Sequence, residues 1–122
     1  MYRDTVRSID DLHAHEQLAL GGLLRVLIRL DGRFTPAEEA QLARVGEELG
    51  GADDLRAVVA RSAEVLADDA AIRDVARQVE RPEARLLIRE ALEAVARADT
   101  IHPAEQSLLD WCDELWGPRA AP

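Results

Sequence analysis

Apolar residues recur at helical spacing along almost the whole chain, and no stretch alternates between apolar and polar positions as a half-buried strand does. The clearest stripe belongs to the first predicted helix and consists of Leu20, Leu23, Leu27 and Leu30. Neighbouring aliphatic residues widen this stripe until the helix is apolar almost all round, which is typical of a helix in the middle of a bundle. The pattern therefore predicts an all-α protein with a central first helix.

Caps, prolines and glycines predict where the helices begin and end. Ser8 lies three residues before Asp11, a spacing that suits an N-cap, so we expect the first helix to begin after Ser8. Proline is tolerated at a helix start and not in its interior. The expected helices run to about residue 30, over 36–49, over 53–67, from a cap at Asp68-Asp69, from Arg81-Pro82, and over 103–116. Short connections favour a compact bundle of about six or seven helices.

The glycine pair Gly21-Gly22 lies inside the first predicted helix. Each glycine there costs about 1 kcal/mol of helix propensity relative to alanine. The pair either permits the close approach of another helix or divides two helices. We expect close approach.

The chain contains an internal repeat. Residues 31–38 and 99–105 each follow an apolar helical stretch, pass through a short turn and restart on Pro-Ala-Glu. The second turn is one residue shorter than the first. We expect repeat halves of about 12–50 and 83–117 to form helix pairs related by a pseudo-two-fold axis. The length of 122 residues predicts one domain over residues 1–122, with 118–122 as a flexible tail.

The negative charge is concentrated in the two repeat segments. Residues 31–50 hold five acidic residues against two arginines, and residues 98–118 hold five acidic residues and no basic one, so these segments carry −8 of the net charge of −9. Such a distribution argues against binding to a nucleic-acid backbone, which needs a basic surface. It favours cations or basic partner surfaces.

Targeting signals are not recognisable in the sequence. The N-terminus lacks a basic-then-apolar signal pattern. The longest apolar run, residues 18–30, is interrupted by Arg25 and Arg29 and is too short to span a bilayer. We therefore expect a soluble, cytoplasmic protein without membrane insertion.

The repeated turns have a purely structural explanation. Thr35 at the N-cap, Pro36 at the first helical position and Glu38 at the third would form a capping box. In the second copy, His102 and Glu105 take the corresponding positions. Capping alone therefore accounts for most of the motif.

The same acids also suggest a cation site. The first copy resembles the second half of an EF-hand loop, but two required ligand positions would be Leu27 and Arg29, and an arginine repels the ion. A different site would form if the acids of the two copies met across the pseudo-axis, with water completing the shell. Its candidate ligands, for calcium, magnesium, manganese or zinc, are Asp31, Glu38, Asp99 and Glu105.

The motif Asp-Gly-x-apolar-x-Pro-x-Glu, followed by a helix that ends at Leu-Gly and repeated near the C-terminus, resembles the TerB-like family. That family takes its name from a tellurite-resistance protein and includes a domain of DnaJ-type co-chaperones. The resemblance covers roughly residues 12–117. It implies an all-helical domain with two-fold repetition, an acidic metal-binding surface at the four acids, and a bacterial stress-response or scaffolding role without catalysis. The second turn departs from the motif, because Thr100 replaces the glycine.

Other candidate chemistry is weaker. His13 and Glu16 are neighbours on a helix, but they lack the further ligands of a di-iron bundle, so we expect a solvated helix face there. Cys112 aligns with Val45 of the other copy and is expected in the core. No nucleophile–base arrangement or phosphate loop is recognisable, so we expect no enzymatic activity.

A protein-interaction module is the alternative function. Trp111 and Trp116 lie among acidic residues, and Trp116 would either anchor a partner or close the end of the bundle. On this interpretation an acidic, tryptophan-containing face binds a basic protein partner or a second copy of the chain.

Overall fold

In the computed structural model, the described residues are 8–30, 36–98, 101 and 103–117. They form a short 3₁₀ helix, six α-helices and no strand. The 3₁₀ helix spans Ile9–Asp11. The α-helices are α1 (Ala14–Leu30), α2 (Pro36–Glu48), α3 (Ala52–Val65), α4 (Asp69–Arg77), α5 (Pro82–Ala96) and α6 (Pro103–Trp116). The predicted all-α bundle is confirmed.

Most helix starts lie where the sequence predicts them. Pro36, Pro82 and Pro103 are the first residues of α2, α5 and α6, where the missing N–H has no helical partner to lose. The Asp68 side chain accepts a hydrogen bond of 2.9 Å from the backbone N–H of Ala71 and caps α4. Local signals therefore suffice for these four helices.

The start of α1 differs from the prediction. Ser8 precedes the 3₁₀ helix, and Leu12 is extended with ψ 141°, so the α-helix begins only at Ala14. The carboxylate of Glu16 accepts a hydrogen bond of 2.7 Å from the backbone N–H of His13. That bond satisfies a donor at the helix start, which is why α1 begins here and not after Ser8.

Helix α1 is the central helix of the bundle. It packs against α3, α4, α5 and α6. Leu20, Leu23 and Leu27 of its apolar stripe are fully buried, and Leu30 at the end of the stripe is exposed. A Cβ atom at Gly21 would lie 2.6 Å from the carbonyl oxygen of Val58, so α1 and α3 approach each other as closely as their backbones allow. The predicted close approach at the glycine pair is confirmed.

The remaining contacts connect the two ends of the chain. Helix α2 packs on α3 and α5, while α6 packs on α5 and α1. The second helix of each predicted half therefore contacts the first helix of the other half, since α2 contacts α5 and α6 contacts α1. The pseudo-two-fold axis and the limits of the halves stay predictions, and the predicted tail 118–122 lies outside the described residues.

The helices that the structure describes are each too short or too polar to cross a membrane. Within the described ranges, none combines the length and the apolar character that a bilayer span requires.

Candidate functional site

The two glutamates predicted as cation ligands are buried at matching positions. Glu38 is the third residue of α2 and Glu105 the third of α6. Their exposed fractions are 2% and 1%. Their predicted companions Asp31 and Asp99 lie outside the described residues, as do Thr35 and His102 of the predicted caps.

In the first turn of α2 and of α6, the third residue is buried and the residues beside it are exposed. Glu39, which follows Glu38, is exposed, and so are Ala104 and Gln106 on either side of Glu105. The positive end of the helix dipole favours a carboxylate in the first turn. Removing that carboxylate from water is nevertheless costly unless a donor or a cation compensates it. The fold therefore buries one carboxylate at the same position of two helices, and each of these carboxylates requires such compensation.

The described residues alone do not complete a metal site. Among them, no group of three or more histidine, cysteine, aspartate or glutamate side chains is arranged to hold an ion. A site with three or more such ligands would have to include at least one residue outside the described ranges. The candidate residues outside these ranges are Asp31 and Asp99, which precede Glu38 and Glu105 in the two copies of the repeat.

A buried ion pair that the sequence did not reveal joins α1 to the start of α5. The Arg81 guanidinium donates from Nε to Oε2 of Glu16 at 2.9 Å and from Nη2 to Oε1 at 2.5 Å. The hydrogen bond from Arg81 lowers the pKa of Glu16 and outweighs the opposing effect of burial. Arg81 Nη2 also donates to the carbonyl oxygen of Asp11 at 2.9 Å, which attaches the 3₁₀ helix to the bundle.

The predicted solvated face around Glu16 is therefore wrong for Glu16 itself. Its exposed fraction is 1%, although the side chain of His13 is 62% exposed. The signal was present in the sequence, because Glu16 is in helical register with Leu20 and Leu23 on the apolar stripe. A charge on that stripe indicates a buried partner, but not which arginine provides it.

A second network holds α5 against α6. Arg89, 6% exposed, donates to both carboxylate oxygens of Asp113 at 2.8 and 3.1 Å and to Glu93 at 2.7 Å. Glu93 also accepts a hydrogen bond of 2.7 Å from Arg97. Hydrogen bonds from Arg97 and then from Arg89 lower the pKa of Glu93. This network stabilises the packing of the two helices and leaves Arg89 no exposed donor edge.

The single cysteine lies in the core, as predicted. Cys112 has an exposed fraction of 0%, and burial raises the pKa of its thiol to about 12. The thiol is therefore protonated at neutral pH, whereas a cysteine nucleophile acts as the thiolate.

Both tryptophans are half-buried, and arginines cover one of them. The indole N–H of Trp116 donates to the carbonyl oxygen of Ala76 at 3.2 Å, which joins α6 to α4. The guanidinium carbons of Arg73 and Arg77 lie 4.5 and 5.9 Å from the centre of the Trp111 ring system. The face of Trp111 is thus turned towards positive charge.

Comparison with known proteins identifies the family of this chain. Neither the curated proteins nor the solved structures give a match. The family model described as tellurite resistance protein TerB matches residues 17–117, a range that includes α2 to α6 and nearly all of α1. The chain therefore belongs to the TerB family.

Proposed function

We propose that this protein is a non-enzymatic, stress-associated domain of the tellurite-resistance type that binds a divalent cation at its acidic turns. The ligands would be Asp31 and Glu38 from the first turn and Asp99 and Glu105 from the second. The observation that supports this proposal is the burial of Glu38 and Glu105 at matching positions of α2 and α6. Membership of the TerB family agrees with the tellurite-resistance role.

The donor set favours a hard cation. All four candidate ligands are carboxylates, and oxygen ligands suit calcium, magnesium and manganese. Zinc sites in proteins use mainly imidazole and thiolate ligands. Cys112 does not belong to this donor set, because its thiol is buried and protonated, and a protonated thiol does not act as a metal ligand. Calcium, magnesium and manganese are therefore the ions that this donor set suits best.

Capping and cation binding make different predictions for a change of glutamate to glutamine. Glutamine at the third helical position can still reach back to the N-cap, since the capping box accepts either residue. It removes the negative charge that a cation needs. Glu38→Gln and Glu105→Gln therefore separate a ligand from a cap.

The experiment is calorimetric titration of chelator-treated protein with calcium, magnesium, manganese and zinc, each followed by a thermal melt. We expect heat and a higher melting temperature with at least one hard cation. Both responses should weaken in Glu38→Gln, Glu105→Gln, Asp31→Asn and Asp99→Asn. Glu39→Gln is the matched control, because Glu39 is the exposed neighbour of Glu38 on the same helix.

The proposal fails if no ion produces heat or a thermal shift. It fails equally if Glu39→Gln weakens binding as much as Glu38→Gln, because the response would then report only the general acidity of α2. Circular dichroism of each variant shows whether the fold is intact.

A further inference from the structure

Residues 8–12, which we call the N-terminal strap, pack on the helical bundle through two aliphatic side chains. Ile9 and Leu12 belong to the hydrophobic core, with exposed fractions of 3% and 4%. They lie three residues apart, and the 3₁₀ turn between them places residues at this spacing on the same side. Asp10 and Asp11 between them are exposed. The N-terminal strap therefore has an apolar side on the bundle and an acidic side in solvent.

The bundle also binds the main chain of the N-terminal strap. The backbone N–H of Ile9 donates to the carbonyl oxygen of Leu49, at the end of α2, at 2.8 Å. The side-chain amide of Gln17 on α1 donates to the carbonyl oxygens of Ile9 and Leu12 at 3.0 and 3.3 Å. In peptide complexes, main-chain hydrogen bonds of this kind contribute affinity, and pockets for particular side chains contribute specificity. The N-terminal strap is thus bound in the way that proteins bind short peptides.

Arg81 supplies a further main-chain contact and is itself held in place by Glu16. Its Nη2 atom donates to the carbonyl oxygen of Asp11 at 2.9 Å and to Oε1 of Glu16 at 2.5 Å. Its Nε atom donates to Oε2 of Glu16 at 2.9 Å. Because the ion pair orients the guanidinium, this donor is preorganised for any segment that lies where the strap lies.

The N-terminal strap is separate from the helices on which it packs. Leu12 is extended and α1 begins only at Ala14, so the strap and α1 do not form one continuous helix. Residues 8–12 also precede the range 17–117 that the TerB family model matches. The strap is therefore an addition to the part of the chain that defines the family.

We propose that Gln17, Leu49 and Arg81 belong to a peptide-binding groove that the N-terminal strap occupies in cis. The groove accepts a partner segment with the chemistry of the strap, which is two aliphatic side chains three residues apart in a single 3₁₀ turn. A short connection gives the strap an effective concentration of about 1 mM or more, so a partner binds strongly only when the strap is released. The groove uses neither acidic turn, and this proposal is therefore independent of the cation proposal.

The test is fluorescence anisotropy of a labelled peptide with the sequence of residues 5–13, titrated with the full chain. In the double variant Ile9→Asp/Leu12→Asp, a bound strap would bury two carboxylates, so the strap should leave the groove. We expect this variant to bind the peptide about tenfold or more tightly than the parent protein, in which the strap competes. A peptide that carries Ile9→Ser and Leu12→Ser should bind to neither protein.

Asp10→Asn is the matched control, because Asp10 is exposed on the same 3₁₀ helix, and it should bind the peptide within about twofold of the parent protein. Gln17→Leu, added to the double variant, should weaken binding about tenfold, because two main-chain contacts lose their donor. Absence of peptide binding by the double variant would overturn the proposal. Loss of its folded state in circular dichroism would also overturn it, because the bundle would then require the strap.

Native-state hydrogen exchange of the parent protein is the second measurement. The amide of Ile9, bonded to Leu49, reports whether the strap is bound. We expect it to exchange through a local opening, about tenfold or more faster than the amide of Leu24 in the central helix α1. Equal exchange at both amides would overturn the proposal, because the strap would then open only with the whole bundle. So would dimerisation of the parent protein that the double variant abolishes, because the occupant would then be a second copy.

Discussion

Glu16 and Arg81 are far apart in the sequence, yet their side chains form a bidentate ion pair in which Glu16 is almost fully buried. Removing one partner of a buried pair leaves a charge without compensation, which costs about 3 kcal/mol or more. Arg81 is partly exposed, with 24% of its side chain accessible, so some of this loss is recovered through hydration. We expect Glu16→Gln to lower the free energy of unfolding by about 3 kcal/mol at neutral pH.

The same pair makes stability dependent on pH in a defined direction. The pKa of Glu16 is lowered in the folded protein, so folding favours the carboxylate over the acid. The stabilisation is complete above the ordinary pKa of 4.5 and is lost as the pH falls through the lower folded value. The difference between the parent protein and Glu16→Gln should therefore narrow below pH 4.5.

Urea unfolding at neutral and at acidic pH measures this difference. Glu90→Gln is the control, because Glu90 is exposed on α5 and has no ion pair within the described residues. It should change stability by less than about 0.5 kcal/mol. A loss in Glu16→Gln that is the same at both pH values would show that packing, and not the ion pair, holds Glu16 in place.

At the scale of elements, the closest contact lies between α1 and α3. Gly21→Ala would place a Cβ atom 2.6 Å from the backbone oxygen of Val58 and 3.1 Å from Cβ of Ser62. Backbone cannot turn aside as a side chain can, so the two helices must separate. Overpacking costs about 1–3 kcal/mol, against a gain of about 1 kcal/mol in helix propensity. We expect net destabilisation of about 1 kcal/mol and a melting temperature lower by about 4 °C.

Gly22→Ala is the comparison within the same helix. Its Cβ atom would meet side-chain atoms of Ile72 at 3.0 and 3.1 Å and of Leu66 at 3.2 Å. These atoms can shift by a few tenths of an ångström, so the loss should be smaller than for Gly21→Ala. A larger loss in Gly22→Ala would mean that α4, and not α3, limits the approach to α1.

The helices show which parts of the fold are encoded locally. The prolines that open α2, α5 and α6 restrict the backbone wherever they occur, so their effect is readable from the sequence. The start of α1 was mispredicted because two local signals compete. Ser8 begins a 3₁₀ helix, whereas Glu16 caps the α-helix and is held by the distant Arg81. A cap that depends on tertiary contacts is not visible in a short stretch of sequence.

At the scale of the molecule, the sequence identified buried positions more readily than it identified partners. Leu20, Leu23, Leu27 and Cys112 lie in the core as predicted, whereas Leu30 at the end of the stripe is 38% exposed. The ion pair of Arg89 with Asp113, in contrast, depends on how α5 packs against α6. The internal repeat likewise identified Glu38 and Glu105 as candidate ligands, but their burial depends on how the helices assemble. Pairings of this kind arise from topology, and helical periodicity alone does not determine topology.

Because the protein has a net charge of −9, specific binding of a divalent cation has to be distinguished from general screening of its negative charges by salt. Excess like charge destabilises the compact state, and salt reduces this repulsion within the Debye length. Exposed pairs such as Arg56 with Asp53 lose little, because each contributes at most about 1 kcal/mol. Sodium chloride should therefore raise the melting temperature by a few degrees, about 4 °C for each kcal/mol.

At equal ionic strength, calcium, magnesium or manganese should raise the melting temperature further, with saturation, in the parent protein and in Glu39→Gln but not in Glu38→Gln. If sodium and the divalent ions had equal effects in all three proteins, the acidic turns would contribute only diffuse negative charge and would not form a cation site.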